Sequence, residues 1–141
     1  MTVTTILVAH DGSDHAAQAL DWAAGLAGQV GARLVVVRSW SPLDDLAKHR
    51  DHADFHEMHD EALAELREWC AGAVAAGVEV EPRVVEDLPV PGIVTAARDC
   101  SADLIVCGTR GRGAVKGLVL GSVARDLPMK AHLPVTIVPA R

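Results

Sequence analysis

Short apolar runs alternate regularly with segments of helical period, and this alternation most limits the folds open to the chain. Residues 6–9, 34–37 and 104–107 are almost uninterruptedly apolar. A strand that is apolar at successive positions buries both of its faces. Between the first two strands, Ala16, Leu20, Ala23, Ala24, Ala27 and Val30 recur at helical spacing, and Gly31 is placed to stop that helix. A polar, histidine-containing stretch then leads into a helix predicted over residues 57–76, with Gly77 as its C-terminal signal. Residues 78–85 read as a third strand, in which Pro82 marks a sheet edge. A helix over 90–100, a strand over 103–107, a helix over 119–131 and a strand over 134–138 complete the series. Pro128 cannot bond the Ala124 carbonyl, which predicts a kink or an early end in the last helix.

Strands that alternate with helices and are apolar on both faces belong in a parallel sheet covered on both sides. Right-handed crossovers then leave doubly wound topologies. The first and fourth strands have the most buried character and the third and fifth look like edges, which the order 3-2-1-4-5 satisfies. The expected fold is therefore α/β: one doubly wound, five-stranded, Rossmann-like parallel sheet with helices on both faces. Composition agrees, because Ala and Val supply 42 residues while Phe and Trp together give four and Tyr none. Small and β-branched side chains suit closely packed helix–sheet layers. A length of 141 residues suits a single domain spanning 1–141.

The formal net charge of −6 argues against a nucleic-acid partner, which requires a basic face. No apolar run approaches the roughly 18 residues of a membrane span, and the N-terminus has no basic-then-apolar secretory pattern. Cys70, Cys100 and Cys107 are odd in number and lack CxxC spacing, so reduced, buried thiols in a cytoplasmic protein are expected.

In such sheets ligands sit beyond the carboxyl ends of the strands where the winding reverses, here between strands one and four. Both strands end in conspicuous turns, Ala9-His10-Asp11-Gly12-Ser13 and Cys107-Gly108-Thr109-Arg110-Gly111-Arg112-Gly113, the second continuing to Gly117 and Gly121-Ser122. Glycines let backbone approach an anion and adopt positive φ. Ser122 is a suitable N-cap, and a helix N-terminus offers free N–H groups to phosphate. Arg110, Arg112 and Lys116 form a local cationic stretch without an acid. Lys116 precedes Gly117 rather than Ser or Thr, so the P-loop pattern fails, and the glycines do not form GxGxxG.

The pattern Gly108-x2-Gly111-x9-Gly121-Ser122 resembles the ATP-binding signature of the universal stress protein family. The opening Ile6-Leu7-Val8-Ala9-His10-Asp11-Gly12-Ser13, the stretch Asp103 to Gly111, Leu120-Gly121-Ser122-Val123 and the ending Leu133-Pro134-Val135-Thr136-Ile137-Val138 are similar to that family too, so the likeness covers essentially the whole chain. The resemblance implies that Gly108, Arg110, Gly111, Gly121, Ser122 and Val123 cradle phosphates, that Asp11 accepts from the ribose hydroxyls, and that Ala9, Ser39 and Cys107 line the adenine and ribose. It implies ATP, with Mg2+ bridging the phosphates and Ser122, a homodimer formed through the C-terminal strand, and a regulatory stress-response role with an unassigned protein partner. Two other readings stay open: a dimer module that does not use ATP, and a nucleotidyl-transfer enzyme of similar architecture, whose usual HxGH-type motif is missing because Asp-Gly-Ser follows His10. No residue is evidently placed as a general base, so at most very slow hydrolysis or autophosphorylation is expected.

His10 is expected at the surface, with no Ser or Cys placed to pair with it. His49, His52, His56 and His59 span only about 80° of a helix at about 100° per residue. They read as a site for Zn2+, Ni2+ or Cu2+, as a pH-responsive segment, or as a solvated helix face.

Overall fold

A computed structural model of the chain describes residues 1–41, 55–111 and 120–141. The alternation becomes β1 (Thr5–Ala9), α1 (Asp14–Val30), β2 (Arg33–Trp40), α2 (Phe55–Trp69), α3 (Ala71–Ala75), β3 (Val80–Glu86), α4 (Pro89–Asp99), β4 (Leu104–Gly108), α5 (Ser122–Lys130) and β5 (Val135–Val138). The strands form one parallel sheet in the expected order β3-β2-β1-β4-β5. Proline-bearing β3 and proline-flanked β5 are its edges, and β1, paired on both sides, is buried at every position.

Side chains alternate between the two faces of each strand. Ile6, Val8, Leu34, Val36 and Val106 pack with Ala19, Leu20, Ala23 and Ala27 of α1 and with Leu66, Cys70 and Ala73 from α2 and α3. Leu7, Ala9, Val35, Val37, Ile105 and Cys107 pack on the other face with Ile93, Ala96 and Ala97 of α4 and Ala124 and Leu127 of α5. The alanines bring helix backbones close to the sheet, so little space is left to absorb a change. Leu7→Ala at a fully buried position would leave a cavity costing about 2–5 kcal/mol.

Local chemistry sets the helix ends. Ser13 caps α1 by accepting from Ala16 N–H at 3.2 Å, and Gly31, at φ 72°, ends it. Gly77 takes φ 88° after α3, where Val78 N–H reaches back to the Ala73 carbonyl at 3.2 Å. Three expectations are corrected. Val30 is 47 % exposed rather than part of the buried stripe, being the last residue of α1 where Gly31 turns the chain. The helix over 57–76 is broken at Cys70, whose N–H is shared between the Leu66 and Arg67 carbonyls at 3.1 and 3.2 Å; this tightened turn carries Cys70 and Ala73 into the core. The last helix does not end early at Pro128 but continues to Lys130. Buried Ala124 and Leu127 hold its inner face, and Ala131 N–H bonds the Leu127 carbonyl at 2.9 Å beyond the proline.

Candidate functional site

The crevice lies where β1, paired with β2 on one side and β4 on the other, reverses the winding. Three side chains fold the turn after β1. His10 Nδ1 accepts from Gly12 N–H at 3.0 Å, Asp11 Oδ1 accepts from Ser13 N–H at 3.0 Å, and the Ser13 hydroxyl caps α1. Gly12, at φ 84°, supplies the left-handed residue that this reversal needs.

The turn after β4 packs against that one. A Cβ on Gly108 would stand 2.8 Å from the His15 carbonyl oxygen and 2.9 Å from its carbon, so β4 reaches the first turn of α1 only because residue 108 has no side chain. A Cβ on Gly111 would collide with the Asp11 carboxylate. Gly121 donates its N–H to the Thr109 carbonyl at 2.6 Å, and a Cβ there would lie 3.3 Å from Arg110 Cα. His15 Nδ1 and Thr109 Oγ1, 3.2 Å apart, tie α1 to the same loop. Asp11, Gly108, Arg110, Gly111 and Gly121 are thus brought together, with Ala9 and Cys107 at the ends of their strands and Ser122 and Val123 opening α5. Ser39 stands near the end of β2, its hydroxyl donating to the Asp87 carbonyl.

Charge and solvation suit an anion. The first N–H groups of α5 have no carbonyl of their own helix to bond, and the helix dipole adds to their positive end. Arg110 Nε is buried and makes no hydrogen bond among the described residues. Leaving a cationic donor buried and unmade is costly, and an oxyanion is the ligand that would satisfy it. Burial pushes the Cys107 thiol up to about 11, so it is a neutral thiol and not a nucleophile.

Two further expectations change. Ser122 is the first residue of α5, and Gly121, extended at φ −75° and ψ 170°, is the N-cap, close to Arg110, while Ser122 is exposed. His10 is 5 % exposed, with its ring stacked on Trp69 at 4.7 Å. Trp69 in turn lies 4.7 Å from the Arg38 guanidinium. The sequence reading missed His15, Trp69 and Arg38, since no local pattern links them to the turns they support. Arg112, Gly113, Lys116 and Gly117 lie outside the described residues, as do His49 and His52. His56 is exposed, and His59 sits 3.8 Å from Asp60 and edge-on to Trp40. Among the described residues, no group of three His, Cys, Asp or Glu is arranged to hold a metal ion.

The sequence profile of the universal stress protein family matches residues 2–139. The chain belongs to this family. A universal stress protein of Thermus aquaticus is 40 % identical over 136 residues, covering 95 % of this chain and 97 % of its own. One from Mycobacterium tuberculosis is 33 % identical over 146 residues, covering 95 % and 94 %. Among solved structures, a universal stress protein in complex with cAMP superposes with a TM-score of 0.75 at 30 % identity, covering 98 % of both chains. The Archaeoglobus fulgidus universal stress protein in complex with dAMP gives 0.71 at 29 % identity, covering 97 % and 98 %. The hypothetical protein MJ0577, at 0.85 and 21 % identity, covers 100 % of this chain and 99 % of its own and attests the shared fold alone. No described helix of this universal stress protein is long and apolar enough to cross a membrane.

Proposed function

We propose that this universal stress protein binds an adenine nucleotide, ATP with Mg2+, in the crevice between β1 and β4, as one nucleotide-binding domain spanning residues 1–141. The observation that carries the reading is that a Cβ at Gly108, Gly111 or Gly121 would crowd the His15 backbone, the Asp11 carboxylate or the Arg110 Cα, in turns that also carry the buried Arg110 Nε, which makes no hydrogen bond among the described residues. Backbone packed this closely, beside a helix N-terminus, suits phosphate oxygens. Gly108, Arg110, Gly111, Gly121, Ser122 and Val123 would hold the phosphates, and Asp11 would accept from the two ribose hydroxyls. Ala9, Ser39 and Cys107 would line the base and sugar, with Mg2+ reached through the phosphates and the Ser122 hydroxyl. The adenine ligands named for two relatives of similar fold support the choice of base.

The role we read is regulatory. Nucleotide occupancy would order the turn leading into α5 and set what the surface offers to a protein partner, in a cytoplasmic homodimer paired through the β5 edge. The decisive measurement is thermal stability with and without ATP. At a ligand concentration a hundred times Kd, linkage predicts about 2.7 kcal/mol of stabilisation, or about 9 °C for a chain of this size. Gly121→Val, which would push into Arg110, abolishes the increment. Absence of any ATP-dependent rise in the wild type, together with no effect of Gly121→Val, overturns the reading. cAMP and dAMP in parallel would show whether one phosphate suffices, and sedimentation velocity tests the dimer.

A further inference from the structure

The turn that carries Asp11 is held from behind by an imidazole. His10 follows β1 and is buried, donating its own N–H to the Val37 carbonyl at 2.9 Å and stacking its ring on Trp69 with an 18° angle between planes. Its Nδ1 lies 3.0 Å from Gly12 N–H. A backbone N–H has only a proton to offer, so Nδ1 must present its lone pair, and the neutral ring carries its proton on Nε2. The ring thereby does for Gly12 what an Asn side chain does in an Asx turn. One residue further, the Asp11 carboxylate holds Ser13 N–H and lies against Gly111. The Gly12 bond therefore fixes where the Asp11 carboxylate stands.

We propose that His10 is a positioning residue for the nucleotide turn, and that protonation of its ring releases Gly12 and weakens nucleotide binding. Its affinity readout rests on the function proposed above; its effect on the turn does not. The imidazolium has an N–H at both nitrogens, so Nδ1 would face the Gly12 N–H donor to donor. A bond that holds the turn becomes a repulsion. The charged groups that the contacts bring to the ring are Asp11 in the turn itself and, through Trp69, Arg38 on β2 with its ion-pair partner Glu65 on α2. Asp11 and Glu65 favour the imidazolium and Arg38 opposes it, while burial against Trp69 favours the neutral ring. Glu65 is 3.4 Å from Arg38, which offsets both of those charges. Mild acidification is thus sensed at the back of the site and expressed at its front.

Two variants separate the acceptor from the packing. His10→Asn keeps an acceptor that gains no proton, and His10→Phe keeps the stack on Trp69 and loses the acceptor. Amide-exchange protection factors at Gly12 and Ser13, and Kd for ATP, are measured on the full chain from about pH 8 to about pH 5.5. The ratio of wild-type to His10→Asn Kd removes the titration of ATP and of every other group in the site. That ratio rises about tenfold on acidification, and wild-type protection at Gly12 falls while that of His10→Asn holds. His10→Phe shows low Gly12 protection and ATP affinity about tenfold weaker across the range. Wild-type protection in His10→Phe, or parallel pH profiles for wild type and His10→Asn, overturns the proposal. If the wild type binds no ATP at pH 8, the nucleotide reading fails, and the protection factors decide the role of His10 on their own.

Discussion

Gly108→Ala adds one methyl group where β4 meets α1, and its cost can be worked from the space available. The new Cβ would stand 2.8 Å from the His15 carbonyl oxygen, 2.9 Å from its carbon and 3.0 Å from its Cβ. Two of those atoms are helix backbone, so no rotamer change relieves the contact. Gly108 has no positive φ, so the whole penalty is steric. Retreat of α1 is resisted by the Ser13 cap and by the His15–Thr109 contact. Overpacking of this kind costs about 1–3 kcal/mol, and the backbone neighbours place it in the upper half. For 141 residues at roughly 2.1 cal/mol/K each, the unfolding entropy is about 0.3 kcal/mol/K, so 2–3 kcal/mol lowers Tm by about 7–10 °C. Gly25→Ala is the control. Gly25 is an exposed position inside α1 with nothing within 4 Å of its would-be Cβ, and helix propensity there gains about 1 kcal/mol, or about +3 °C. Thermal melts followed by circular dichroism compare the pair. A Gly108→Ala melt within 1 °C of wild type, about the resolution of the method, or a comparable loss in Gly25→Ala, would refute the packing argument.

Three further outcomes are expected. Asp103 accepts from the N–H groups of Thr4 and Thr5, which hold its carboxyl below the usual range; its contribution is present at neutral pH and lost as pH falls through that lowered value. Asp103→Asn therefore lowers the urea midpoint at pH 7, and the deficit shrinks on acidification; a deficit that grows in acid contradicts the assignment. Burial pushes Cys70 and Cys107 up to about 11 and raises Cys100, so the native protein consumes no thiol reagent at pH 8 and all three react after unfolding in urea. Pro128→Ala restores an N–H to the Ala124 carbonyl within a formed helix, and Tm rises by about 3–7 °C after allowing for the looser unfolded chain; a fall would show that the helix is shaped around the proline.

What was legible in the sequence was whatever depends on neighbours in sequence. Apolar runs such as 6–9 identified central strands, Pro82 and Pro134 identified edges, and Gly31 and Gly77 identified helix ends, because each acts through local backbone or through burial on both faces. Contacts between distant segments were not legible. Gly121 and Ser122 are both acceptable N-caps, and the glycine takes the position where a Cβ would lie 3.3 Å from Arg110 Cα, a contact the sequence does not announce. His10 looked like a surface residue because its partner Trp69 belongs to an element that nothing in the β1 turn announces.

The glycines divide into two groups with different physical causes. Glycine in a loop permits positive φ or permits close approach, and the sequence cannot separate them. Here Gly12, Gly31 and Gly77 take the positive φ, while Gly108, Gly111 and Gly121 do not. A Cβ at the latter three would crowd the His15 backbone, the Asp11 carboxylate and the Arg110 Cα, and at Gly108 the obstacle is helix backbone under 3.0 Å away. Asp11 and Arg110 are proposed ligand-binding groups, and His15 braces the loop that carries Arg110. A side chain at Gly111 or Gly121 would therefore press on groups proposed to bind the ligand, and one at Gly108 on the helix that braces their loop.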